Sequence, residues 1–256
     1  MTYAFWISLG IIIYVYFGYP LAVLILSKLT KFRTIHETRD WPNVTLIIAT
    51  HNEGENIQSK ITNSLALDYP PNKFQIIVAS DGSTDNTCEI VEKYSKDILL
   101  VKSGKHVGKS AIQNIAMKKA NGEIIVFSDA QTKYNNDVLR KLVRHFNDPE
   151  VGVVTGQVIY VNKNSSDASR SEGLYWAYES CIREAESRLG ILVMGSGCIL
   201  AVRKVLFGEL TENTGEDFFL PLKVVGEGHR VVMKRMPWLM KTLRPAVKTC
   251  SEPNAG

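Results

Sequence analysis

The chain has 256 residues, 45% of them hydrophobic and 22% charged, with glycine and proline near average usage. This excludes disordered, collagenous and coiled-coil classes and leaves room for a substantial core. A net charge of +4, from 30 basic against 26 acidic side chains, is too small an excess for a strongly basic nucleic-acid binder, so no nucleic-acid partner is expected.

Residues 3–27 (YAFWISLGIIIYVYFGYPLAVLILS) carry no charged side chain. About 20 apolar residues span a hydrocarbon core of roughly 30 Å, so this stretch predicts a transmembrane anchor. A secretory signal would need a basic start, a shorter apolar run and a small-residue cleavage site. Tyrosines and a tryptophan suit the membrane interface, and Pro20 is tolerated in a spanning helix. No Lys or Arg precedes the segment, whereas Lys28, Lys31, Arg33 and Arg39 follow it. Positive-inside then puts the remainder in the cytoplasm, at the inner face of the cell membrane with lipid as a partner. Cys88, Cys181, Cys198 and Cys250 are dispersed, without a C-x-x-C pair, which suits a reducing compartment. Residues 28–41 read as a basic juxtamembrane linker.

From Pro42 onward short β-branched runs alternate with amphipathic stretches. Strands are expected at 44–50 (VTLIIAT), 74–80 (FQIIVAS), 98–102 (ILLVK) and 123–128 (EIIVFS), with helices near 55–67, 85–96 and 109–120. A second half follows: a strand at 151–161, a helix around 171–189, an apolar run at 198–202 and a helix near 216–225. This predicts an α/β domain over 42–233, a Rossmann-like, mostly parallel sheet covered on both faces. In such sheets ligands bind beyond the carboxyl ends of the strands.

Three strand ends carry carboxylates: Glu53 in T-H-N-E, Asp81 in S-D-G-S-T-D and Asp129 in S-D-A-Q. Taken singly, S-D-G-S-T-D is satisfied as a turn and helix cap. Together the three suit a hydroxyl- or amide-rich ligand and a hard divalent cation holding phosphates. After the third strand, Lys105 and Lys109 flank a helix start, where anions bind. The string G-K-H-V-G-K-S misses the glycine spacing of a P-loop. Gly215-Glu216-Asp217 opens the last helix, as an acidic cap or as the seat of a general base. Tyr175, Trp176, Tyr178 and Glu179 fit either an acceptor groove or a core or membrane-interface position.

The ordered set I-I-A-T-H-N-E, V-A-S-D-G-S-T-D, G-K-S-A-I-Q-N, I-I-V-F-S-D-A-Q-T, M-G-S-G-C-I-L-A-V-R and G-E-D-F-F-L-P-L resembles the family 2 inverting glycosyltransferases of the GT-A fold. The similarity is to the membrane-anchored bacterial type related to cellulose, chitin and hyaluronan synthases, and covers about 42–232. The resemblance implies transfer from a nucleoside-diphosphate sugar, foremost a UDP-sugar, to a glycan or lipid-linked acceptor in polysaccharide or cell-envelope glycan synthesis. It implies that Thr50, Asn52, Glu53 and Asp81 line the nucleotide pocket and that Lys105 and Lys109 lie near the donor. Asp129 and Gln131 would hold Mg²⁺ or Mn²⁺ at the diphosphate. Glu216 would help bind substrate, and Asp217 would be the base.

Two departures stand out. The usual second carboxylate of the D-x-D element is Gln131, and the Q/R-x-x-R-W motif and later membrane helices of processive members do not follow the base. Residues 234–256 therefore read as the start of a truncated C-terminal region. The rival readings are a non-catalytic, membrane-anchored nucleotide-sugar-binding module and a sugar nucleotidyltransferase. An intact G-E-D speaks against the first, and T-H-N-E in place of a glycine-rich loop against the second.

Overall fold

The computed structural model describes residues 2–30, 40–156, 159–160, 167–212, 214–234 and 240–241. The basic residues Lys31, Arg33 and Arg39 lie outside it, as does nearly all of the tail at 234–256.

The N-terminal segment is one helix long and apolar enough to cross a membrane, Thr2–Leu29. It comprises α1 (Thr2–Ile13), a π turn (Tyr14–Gly18) and α2 (Tyr19–Leu29). The π turn has a local cause. Pro20 has no N–H for the Tyr16 carbonyl four residues earlier, and its ring crowds that carbonyl. The Tyr178 hydroxyl donates to the Tyr16 carbonyl instead, at 2.7 Å.

The main sheet has seven strands in the order β3-β2-β1-β4-β8-β6-β9. These are β1 (Val44–Thr50), β2 (Phe74–Asp81), β3 (Ile98–Ser103), β4 (Ile124–Asp129), β6 (Val151–Gly156), β8 (Ile199–Arg203) and β9 (Arg230–Lys234). The first four pair in parallel, with β1 between β2 and β4. The inner strands β1, β2, β4, β6 and β8 are buried on both faces, which is why they read as near-continuous apolar runs. Leu46 and Ile48 of β1 pack beneath α3 (Ile57–Leu65) and α4 (Thr87–Glu92). Ile47 points the other way, to the core shared with α5 (Lys109–Met117) and α8 (Glu216–Gly226).

The second half departs from a simple parallel pattern. β8 runs antiparallel to both β4 and β6, a direction that an apolar run cannot encode. The strand expected at 151–161 stops at Gly156; Ile159–Tyr160 (β7) joins a separate small sheet with β5 (Thr132–Lys133) and β10 (Met240–Lys241). A short helix, α6 (Val138–Val143), and the edge strand β9 had no clear signal, being short and of mixed polarity.

The helix expected at 171–189 starts earlier: α7 is Asp167–Leu189. It packs along α2, where Pro20, Val23 and Ser27 are buried. Tyr19 donates from its hydroxyl to the Glu186 carboxylate of α7 at 2.5 Å. Tyr178 thus belongs to the contact with the N-terminal helix, while the Tyr175 side chain lies outside the described residues.

Candidate active site

Parallel packing of β1, β2 and β4 brings three loops to one sheet edge, around a cleft of about 270 Å³. Thr50, Glu53, Asp81, Lys109, Asp129 and Gln131 all line it. Six of the expected site residues therefore meet in space.

Asp81 is 3% exposed, and both its carboxylate oxygens are engaged. They accept from the Val107 N–H at 2.7 Å and the Gly108 N–H at 2.9 Å, and His106 Nδ1 lies 2.8 Å away. The anion at the start of α5 is therefore Asp81 itself. It occupies amides that a phosphate would have used. Gly82, at φ +61°, permits this docking, since a Cβ there would sit 2.5 Å from the His106 nitrogen.

Asn52 also adopts a left-handed conformation, φ 51°, and its side-chain Oδ1 accepts from the Thr84 N–H at 2.8 Å. Its side chain holds the S-D-G-S-T-D loop. The Thr50 hydroxyl is buried at the cleft wall without a hydrogen-bond partner. Lys105 is exposed on the β3–α5 loop, and its carbonyl accepts from the Ser103 hydroxyl.

On the other side, Glu53 Oε1 accepts from the Gln131 amide nitrogen at 2.7 Å. That assignment turns the Gln131 carbonyl oxygen into the end left for a cation. Lys109 Nζ lies 3.0 Å from Asp129 Oδ1 and 2.7 Å from Glu216 Oε1. Burial disfavours the Lys109 charge, but Glu216 and then Asp129 outweigh it and raise its pKa. Glu216 is 1% exposed, so it acts behind Lys109, not at the cleft surface.

Asp217 sits one residue further into α8, partly exposed. Pro221 lacks the N–H that would bond the Asp217 carbonyl. The Gly195 N–H fills that place at 2.7 Å, tying M-G-S-G to G-E-D-F-F-L-P-L. Gly197 leaves space beside Asp217: a Cβ there would lie 3.3 Å from Asp217 Oδ2 and 4.0 Å from Lys109 Nζ.

The donor set fits a hard divalent cation. Among the described residues no cluster of three His, Cys, Asp or Glu makes a ready-made metal cage. Asp129 and Gln131 both line the cleft and would supply oxygen ligands in the pattern of Mg²⁺-type sites completed by substrate phosphates. The Lys109 ammonium already places positive charge at Asp129.

Sequence reasoning missed His106 and Lys60, and the contact that His51 of the T-H-N-E stretch makes with the first. His51 and His106 both line the cleft with their rings tilted at 46° and centroids 4.4 Å apart, a pairing made only by the docking of two loops. Lys60, on α3, is 1% exposed and donates to the Ser128 hydroxyl at 2.6 Å and the Thr132 carbonyl at 2.7 Å. Burial pushes its amine down to about 7, against the pull of Asp129.

Comparison with known proteins fits this geometry. The chain is 28% identical over 206 residues to the poly-beta-1,6-N-acetyl-D-glucosamine synthase of Staphylococcus aureus (strain COL), covering 77% of this chain and 50% of the relative. It is 30% identical over 164 residues to the Staphylococcus epidermidis protein of that name, covering 63% and 39%. The chain thus spans about half the length of the first relative and less of the second. Two solved structures share the fold. The mannosyltransferase PcManGT of Pyrobaculum calidifontis, in complex with GDP-Man and Mn²⁺, superposes with a TM-score of 0.76 at 24% identity, over 91% of this chain and 67% of that one. TarS 1–349 of S. aureus with UDP-GlcNAc gives 0.60 at 21%, over 80% and 60%. The family model for Glycosyl transferase family 2 matches residues 45–211. With its GT-A sheet and these motifs at one edge, the chain belongs to glycosyl transferase family 2.

Proposed function

We propose that this chain is the donor-binding and catalytic part of an inverting glycosyltransferase. It moves a sugar from a UDP-sugar to a hydroxyl of a glycan or lipid-linked acceptor, in polysaccharide or cell-envelope glycan synthesis. The observation that carries this reading is the bridge Asp129–Lys109–Glu216, which joins the cation-binding turn to the helix bearing Asp217.

Asp129 and the Gln131 carbonyl would hold Mg²⁺ or Mn²⁺, which would supply positive charge to the departing diphosphate. Lys109 stands beside that charge, held by Glu216. An Asp217 carboxylate oxygen accepts the acceptor's proton as its oxygen attacks the sugar C1. The C1–O bond to the diphosphate breaks, the nucleoside diphosphate leaves with the electron pair, and the anomeric centre inverts. Asp81 and Asn52 position the loops at the nucleoside end.

The similarity to N-acetylglucosamine polymer synthases and to a structure holding UDP-GlcNAc supports an N-acetylglucosamine donor. Residues 3–27 cross the cell membrane and leave the domain on the cytoplasmic side. Cleavage of the domain by protease applied outside sealed cells would overturn that topology.

The decisive experiment is a donor screen on the purified chain in detergent micelles. UDP-GlcNAc and GDP-Man are offered with Mg²⁺ or Mn²⁺, and binding and nucleotide release are measured. Release of UDP that depends on metal and acceptor is expected. Binding without release would favour the nucleotide-sugar-binding module, and no binding of either donor would overturn the reading.

A further inference from the structure

Lysine is almost never fully buried unless it is paired, yet Lys60 is 1% exposed and its two hydrogen bonds go to neutral groups. Its amine also lies 3.8 Å from the centre of the Tyr134 ring. Burying an amine in such a place is costly, and a well-packed apolar side chain of similar volume would be neutral or stabilising.

The two bonds have a specific placement. Ser128 immediately precedes Asp129, and Thr132 immediately follows Gln131. One amine thus ties both ends of the D-A-Q turn. The rest of the same strand–helix unit reinforces it. Asn63, one turn along α3, accepts from the Tyr134 N–H and donates to the Tyr134 carbonyl, both at 2.8 Å. Glu53, whose carbonyl caps the start of α3 by accepting from the Asn56 and Ile57 N–H groups, holds the Gln131 amide. Tyr134 in turn donates to the Cys198 carbonyl at 2.7 Å, next to Gly197 and the space before Asp217.

We infer that Lys60 is the positioning residue of the cation site, a buried peg that sets the D-A-Q turn so that Asp129 and Gln131 face the cleft together. This rests on the reading of Asp129 and Gln131 as the cation holders. A site with one carboxylate and one amide has little charge to attract a cation, so its affinity depends on how well its oxygens are prearranged.

The test uses the full chain in detergent, with Mn²⁺ alone as the probe and free Mn²⁺ read by electron paramagnetic resonance. Lys60→Met removes both bonds while keeping the stem, and Ser128→Ala removes one of them, together with the Ser128–Tyr134 hydroxyl bond, and leaves the lysine. Groups behind metal ligands are worth about 10–100-fold in affinity. Lys60→Met should weaken Mn²⁺ binding by at least about tenfold and Ser128→Ala by less, with the melting temperature of each at or near wild type. If Lys60→Met does not fold, Ser128→Ala decides alone by the same comparison. Wild-type Mn²⁺ affinity in a folded variant would overturn the inference. So would affinity and melting temperature falling together in both variants, which marks a general role in the fold. A wild-type chain that binds no Mn²⁺ would overturn the cation reading beneath it, an outcome distinct from either.

Discussion

Lys109 Nζ lies 2.7 Å from the carboxylate of Glu216, one residue before Asp217 in the chain. The start of α5 and the start of α8 are therefore joined by an ion pair whose acidic member is buried. Removing one partner of such a pair leaves an uncompensated charge inside the protein.

Lys109→Met should therefore destabilise the domain by about 3 kcal/mol. Adding Glu216→Gln should recover most of that loss, because the two residues share one interaction. Thermal melts of the wild type, both single variants and the double variant give the coupling. Purely additive losses would show that the pair contributes nothing.

Asp217→Asn should leave the fold and donor binding intact while slowing transfer by roughly 10²–10⁴, the contribution of a positioned base. Glu216→Gln should instead weaken donor binding through Lys109. Transfer rates and donor affinities of the two variants separate the roles. Wild-type turnover by Asp217→Asn would place the base elsewhere.

Asp129→Ala should abolish the metal dependence of donor binding. Gln131→Asp restores a carboxylate, so Mn²⁺ binding should tighten. The new carboxylate also replaces the amide that donates to Glu53 with a like charge. The variant should melt below wild type without metal and regain stability as Mn²⁺ is added. A metal titration unchanged in both variants contradicts the assignment of the turn.

His145 is buried, and its Nε2 has no hydrogen-bond partner. Burial first, then the charges of Arg144 and Lys234, push its pKa from 6.5 down to about 4. Above pH 6.5 the histidine is neutral in both folded and unfolded chains. Between pH 6.5 and 4 the unfolded chain binds the proton more readily, so stability is lost as pH falls. The full effect is of order 3 kcal/mol. His145→Leu should flatten the fall in melting temperature over that window. An unchanged pH slope would show that His145 is not its source.

Much of the first half of the fold was legible because its strands are buried on both faces. VTLIIAT at β1 (Val44–Thr50) matches its expected limits residue for residue. Polar residues at or just past the carboxyl ends of the strands marked the sheet edge, and Glu53, Asp81 and Asp129 line one cleft there. Pro221 was visible in G-E-D-F-F-L-P-L, but not that its missing N–H hands the Asp217 carbonyl to Gly195.

By itself the sequence determined the alternation of strands and helices, the apolar N-terminal helix and the set of polar residues at the strand ends. These depend on periodicity and local turn chemistry, which act between near neighbours in the chain. Only the tertiary structure decided the reversed direction of β8, the use of the Asp81 carboxylate as a clasp on the α5 loop, and the pairing of Lys109 with Glu216. Lys60 makes the same point, since nothing in N-I-Q-S-K-I-T-N separates a solvated lysine from a buried one. Its place under the D-A-Q turn exists only once α3 is laid across β4 (Ile124–Asp129), because hydrogen bonds between residues 68 and 72 positions apart are set by how the layers pack and by no local preference of the chain.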